Sequence, residues 1–101
     1  MQFLPDTPIH PGEILRKEFL AEYQLSPLKV ATDLGINVGR LSEVLDGRGP
    51  VTAELALRLS RYFSNSPEYW LNLQTSYDLT IAAQAAESLD AIHPVHAAKL
   101  T

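Results

Sequence analysis

The chain has 101 residues, enough for one compact domain with its own core, and its 46 % hydrophobic content excludes a wholly disordered protein. It holds no cysteine, which excludes disulfides, thiol chemistry and thiolate metal sites, and no apolar run approaches the roughly 20 residues that span a bilayer. The net charge of −4 counts against a strong non-specific nucleic-acid binder.

Residues 1–11 carry Pro5, Pro8 and Pro11 and read as an extended arm. They lack a basic stretch followed by an apolar one, so a leader is not expected, and the chain reads as cytoplasmic with no membrane partner. A first helix is predicted from about Gly12 to Tyr23, with Glu13 suiting the dipole of its first turn and Ile14, Leu15 and Phe19 on its apolar side. The second helix has the clearest start: Ser26 as N-cap, Pro27 at the first helical position, and Leu25 with Val30 as a hydrophobic staple. It ends at Leu34-Gly35. A third helix starts at the N-cap Asn37 and stops near Asp46-Gly47, before the loop Gly47-Arg48-Gly49-Pro50.

Thr52 caps a fourth helix, with Leu55, Ala56, Leu59 and Tyr62/Phe63 at helical spacing. Asn65-Ser66-Pro67 breaks it. Ser66 caps a fifth helix with Pro67 at its first position, and Trp70, Leu71, Leu73, Tyr77 and Ile81 supply its apolar residues. The alanine-rich stretch from Leu79 to Leu89 can prolong that helix, and the residues around His93-Pro94-Val95-His96 read as a frayed tail. The expected division is an arm over 1–11, a helical domain over 12–83 and a C-terminal extension and tail over 84–101.

Helices two and three, with the short link between them, have the spacing of a helix-turn-helix. Ala31 sits where the two helices approach most closely, Gly35 sits at the turn where a positive φ is expected, and Leu41 and Val44 face back onto the preceding helix. Such a motif places its second helix in a DNA major groove. The expected fold is therefore all-α, a five-helix phage-repressor-like domain with the motif at helices two and three.

Residues 27–50 balance Lys29, Arg40 and Arg48 against Asp33, Glu43 and Asp46, while residues 1–26 set Arg16 and Lys17 against Asp6, Glu13, Glu18 and Glu22. The reading segment is thus neutral, and DNA affinity is expected to be modest per subunit and to lean on dimerisation. Its third helix offers Asn37, Val38, Gly39, Arg40, Ser42 and Glu43. Arg40 is the best base or phosphate contact, because its fork matches guanine or phosphate oxygens. Asn37 and Ser42 can reach a base edge or phosphate, and Val38 a thymine methyl. Glu43 and Asp46 repel phosphate unless one accepts from cytosine or pairs with Arg40 or Arg48; the plainer alternative is that these are solvated surface charges. Lys29, Arg48 and Thr52 are expected phosphate contacts, although Thr52 can equally be a simple N-cap.

Trp70, Leu71, Tyr69 and Tyr77 read as core or dimer interface, with Trp70 packing across the fourth helix at Leu59 and Phe63. His10, His93 and His96 have no Cys or acidic cluster beside them, so no metal site is expected. No catalytic motif or phosphate-cradling glycine loop is present, and neither enzymatic activity nor a cofactor is expected.

Three separated strings carry a resemblance. His10-Pro11-Gly12-Glu13-Ile14-Leu15 with Glu18-Phe19-Leu20, then Val51-Thr52-Ala53-Glu54-Leu55-Ala56-Leu57-Arg58-Leu59-Ser60, then Ser66 to Gln74 with Tyr77-Asp78-Leu79, together resemble the HigA-type antitoxins of plasmid-maintenance modules over about residues 8–83. The resemblance implies a homodimer that represses its own operon by binding double-stranded operator DNA. It also implies that the same protein neutralises a HigB-like toxin, usually a RelE-like ribonuclease that cuts messenger RNA on the ribosome. The acidic residues Asp6, Glu13, Glu18 and Glu22 would complement such a basic partner. A stand-alone regulator without a toxin, or an interaction module that has lost DNA binding, are the alternatives.

Overall fold

The structure, a computed structural model, describes residues 7–95. Those residues hold five helices and no strand. Helix α1 begins at Pro11–Ile14 and runs without a break into the π-helical Leu15–Leu20; α2 is Pro27–Leu34, α3 Val38–Leu45, α4 Ala53–Phe63 and α5 Pro67–Ala85, followed by a 3₁₀ turn at Leu89–Ala91. The expected arm falls partly on residues 1–6 and the expected tail partly on 96–101, His96 included; both lie outside the described residues.

Four of the predicted caps are made. The side chains of Ser26, Asn37, Thr52 and Ser66 each accept from a backbone N–H in the first turn of the helix that follows. A fifth cap was missed. His10 Nδ1 accepts from Gly12 N at 2.9 Å, so α1 starts one residue earlier than predicted and His10 is a structural residue.

The first helix also stops short of Tyr23. Along Leu15–Leu20 the hydrogen bonds widen to five residues, with Ala21 N donating to Arg16 O at 3.0 Å, and the turn that follows closes with Leu25 N donating to Leu20 O at 2.8 Å. The chain then turns, with Gln24 at φ 56°. The fifth helix reaches Ala85 and not Leu89, because Ala86 is already extended.

The core gathers Leu15 and Leu20, Val30, Ala31 and Leu34, Leu41, Val44 and Leu45, Val51, Leu55, Ala56 and Leu59, and Trp70, all buried. Trp70 is fully buried as expected, with Phe63 at 6.3 Å and Phe19 at 5.0 Å between ring centres, and its indole N–H donates to Asn65 Oδ1 at 3.0 Å. Ile81 departs from expectation: it is exposed, and α5 buries only Trp70, Gln74 and Thr80. Gln74 replaces an apolar contact with polar ones. It accepts from Val51 N at 2.7 Å and donates to Asp78 at 2.9 Å, so a buried loop N–H ahead of α4 is satisfied from α5.

Two glycines set the frame of the motif. Gly35 has φ 74° and ends α2 with paired bonds, Ile36 N to Ala31 O at 3.0 Å and Gly35 N to Thr32 O at 3.1 Å. Gly12 serves a different purpose: a Cβ there would lie 1.7 Å from Val44 O, so α1 rests directly on the backbone of α3.

Candidate nucleic-acid interface

Helix α3 presents its N-terminal turn to solvent. Asn37 fixes that turn, its Oδ1 accepting from Gly39 N at 2.7 Å and from Arg40 N at 3.4 Å. The side-chain oxygen is therefore committed to the cap, and its amide N–H groups are what it can offer a ligand. A Cβ at Gly39 would sit 2.9 Å from Asn37 Oδ1, so a side chain there would press on this cap. Val38, Gly39 and Glu43 are exposed, while Ser42 is half-buried.

Arg40 is the centre of the site. Its Nη1 donates to Glu54 Oε1 at 3.2 Å and its Nη2 to Thr52 Oγ1 at 3.2 Å, so the guanidinium from the first turn of α3 rests against the first turn of α4. Of the alternatives open for Glu43, a pair with Arg40 is not the one formed; Glu43 has no ion-pair partner among the described residues. Thr52 Oγ1 also accepts from Leu55 N at 3.2 Å. With both lone pairs occupied, its hydroxyl hydrogen remains to donate outward. Capping and ligand contact are thus compatible at Thr52.

Glu54 was not singled out from sequence, and neither was Arg58. Arg58 Nε donates to Glu54 Oε2 at 2.8 Å and its Nη1 to Leu34 O at 2.7 Å, tying α4 to the end of α2. Glu54 thus shares one carboxylate between two arginines. The hydrogen bond from Arg58, and then that from Arg40, holds its carboxyl below the usual range. Arg58 lies 24 residues from Leu34, and Arg40 lies 14 from Glu54, so no helical periodicity points to either pair.

The remaining candidates lie apart from this group. Lys29 pairs with Asp33 at 3.0 Å, and Asp33 also accepts from the Tyr62 hydroxyl at 2.6 Å. The Tyr62 bond, then that of Lys29, lowers the Asp33 pKa, and the same bond raises that of Tyr62. Arg48 pairs with Asp46 at 3.1 Å as an exposed surface pair, the plainer alternative for these two residues. Of the nine candidate residues, Arg40 and Thr52 are the two joined side chain to side chain.

No protein-family profile matches the chain. It is 44 % identical over 87 residues to Virulence-associated protein I of Dichelobacter nodosus, spanning 86 % of this chain and 81 % of that protein. It is 35 % identical over 72 residues to antitoxin HigA-1 of Vibrio cholerae serotype O1, spanning 71 % of this chain and 68 % of that one. The chain belongs to the HigA-type antitoxins. Its fold agrees: the Pseudomonas aeruginosa antitoxin HigA, solved with the higBA promoter, superposes with a TM-score of 0.82 at 38 % identity, covering 89 % of this chain and 100 % of that one. HigA-type antitoxins are helix-turn-helix proteins and not enzymes. In this HigA-type chain, the motif lies at α2 and α3 as the sequence indicated, and no described helix is long and apolar enough to cross a membrane.

Proposed function

We propose that this protein is the antitoxin of a type II toxin–antitoxin module, acting in the cytoplasm both as repressor and as neutraliser. Two subunits dock their α3 helices in successive major grooves of a palindromic operator, about 34 Å apart. Arg40 reads a base edge or grips a phosphate beside Asn37, Val38, Gly39, Ser42 and Glu43, while Lys29, Arg48 and Thr52 hold the backbone. The observation that carries this reading is the placement of Arg40, half-buried at the start of α3 with its side chain still 39 % accessible, and braced by Thr52 of α4. The HigA relative solved with its promoter supports it.

The second activity is capture of a RelE/HigB-like, mRNA-cleaving toxin. Glu13, Glu18 and Glu22 on and after α1 suit a basic partner. Glu13 is held by Lys17 at 3.0 Å, and Glu18 and Glu22 are exposed.

A gel shift on the promoter of its own operon tests the first activity. A discrete shift that Arg40→Ala removes, in a variant that still folds and dimerises, supports helix α3 as the reader; unchanged affinity takes Arg40 out of that role. Co-purification with the toxin encoded beside the gene tests the second, and retention after neutralising Glu13, Glu18 and Glu22 would exclude the acidic surface.

A further inference from the structure

In the operator-binding reading Arg40 is the reader, yet a long, half-buried arginine still has many rotamers and reads nothing until its plane is fixed. Two contacts fix this one, and two more stand behind them. Thr52 takes Nη2 and Glu54 takes Nη1. Glu54 is itself held by Arg58, whose other arm is anchored on the Leu34 carbonyl at 2.7 Å. The chain of bonds runs from the backbone at the end of α2, through two side chains of α4, to the fork of α3. Two of the five N–H donors of Arg40 are spent inward and three remain, enough for a bidentate edge.

The same carboxylate is unwelcome for DNA in general. Glu54 is 54 % exposed beside Arg40, so it opposes phosphates whatever their sequence. Exposed ion pairs add little to stability. What this one supplies is direction.

We propose that Glu54 is a positioning residue that fixes the Arg40 fork, and so sharpens the choice of operator over other DNA at the expense of general affinity. This rests on the operator-binding reading above. Loss of Glu54 frees the fork and removes a negative charge, so specific and non-specific binding move apart. A Glu54 that merely stabilised the fold would weaken both together. One that held Arg40 away from DNA would, when removed, tighten operator binding with preference intact.

The test measures affinity of the full chain for a duplex from immediately upstream of its gene, beside a shuffled duplex of equal length and composition. Fluorescence anisotropy is read at several salt concentrations, with melting followed in parallel. Glu54→Gln is expected to bind the shuffled duplex no more weakly than wild type and to lose about tenfold in preference, the scale of one misread base pair. In an Arg40→Ala background, Glu54→Gln is expected to cost no further preference. Glu54→Ala removes both acceptor oxygens while leaving Arg40 and Thr52 in place, and it is expected to lose preference as well; this variant decides the matter if the single amide oxygen of Glu54→Gln keeps its bond to Arg40. Full preference in both Glu54→Gln and Glu54→Ala, or additive losses in the double variant, overturns the positioning role. Absence of any preference in the wild type overturns operator reading itself, a result distinct from a wild-type preference that the Glu54 variants retain, which overturns the positioning role alone.

Discussion

Arg58 donates from Nη1 to the carbonyl of Leu34 at 2.7 Å, so a side chain of α4 closes the last turn of α2. The end of a helix carries carbonyls without intrahelical partners and a partial negative charge, and a guanidinium satisfies both needs. The position of this contact, one residue before Gly35, makes α4 part of the geometry of the turn.

Arg58→Ala is therefore expected to destabilise the fold by about 1 kcal/mol, less than a buried charged hydrogen bond because the side chain is 42 % exposed. Arg58→Lys recovers part of this, since one ammonium can reach Leu34 O or Glu54 but lacks the rigid fork that serves both. The urea midpoint of the two variants reads the difference.

Gly12 and Gly35 are both required, for reasons of different strength. Alanine at Gly12 meets the Val44 carbonyl at 1.7 Å, backbone against backbone, and must lift α1 from α3. We expect a loss of about 3 kcal/mol. Alanine at Gly35 has a left-handed φ of 74° to adopt and meets Arg58 Nη1, a side-chain atom that can give way, at 3.3 Å, so about 1 kcal/mol is expected. Thermal unfolding that ranks Gly35→Ala as the costlier change would contradict the close packing at Gly12.

Burial holds the His10 imidazole below its ordinary 6.5, against the opposing pull of the Gly49 backbone and the Asp78 charge. The unfolded chain consequently binds a proton that the folded chain resists. Stability from this group is intact above about pH 6.5 and declines as pH falls from there to the folded-state pKa. Protonation at Nδ1 would also end the bond it accepts from Gly12 N. His10→Asn keeps a capping acceptor and should flatten the pH dependence of the melting temperature in that window. Asp33 and Glu54, whose pKa values are lowered from 3.8 and 4.5, lose their contribution only in more acid solution, so the two effects separate.

Replacing Gln74 by Leu leaves Val51 N–H buried with no acceptor, a loss of about 2 kcal/mol. Glu at the same position keeps that acceptor but sets a second carboxylate beside Asp78, which accepts from Gln74 at 2.9 Å. Glu is expected to be the milder change near neutral pH; a Leu variant as stable as the Glu variant would show that the Val51 bond is dispensable. Denaturation of both variants checks this.

Local signals carried most of the fold. Ser26, Asn37, Thr52 and Ser66 precede helices whose first N–H groups need an acceptor, and Gly35 stands where only glycine turns cheaply, so the boundaries of α2 to α4 could be read from neighbours within four residues. Arg40 and Thr52 were legible one by one for the same reason. Their union was not, because it depends on how α3 and α4 pack. Gln74 lies 23 residues from Val51, and no composition rule marks a glutamine as the acceptor for a distant loop N–H. His10 was weighed as a metal ligand, and its role as a cap shows only when α1 is built on it.

The wide turn at Leu15–Leu20 gives α1 slack in its length. A π-type turn is an α-helix that has absorbed one additional residue while both ends stay in phase. Deleting one residue there lets the segment relax to an ordinary helix, with Gly12 still seated on Val44 and Phe19, or its substitute, still near Trp70. The same deletion in α3 would rotate every later side chain by about 100°. Helix α1 can thus change its residue count where the recognition helix cannot.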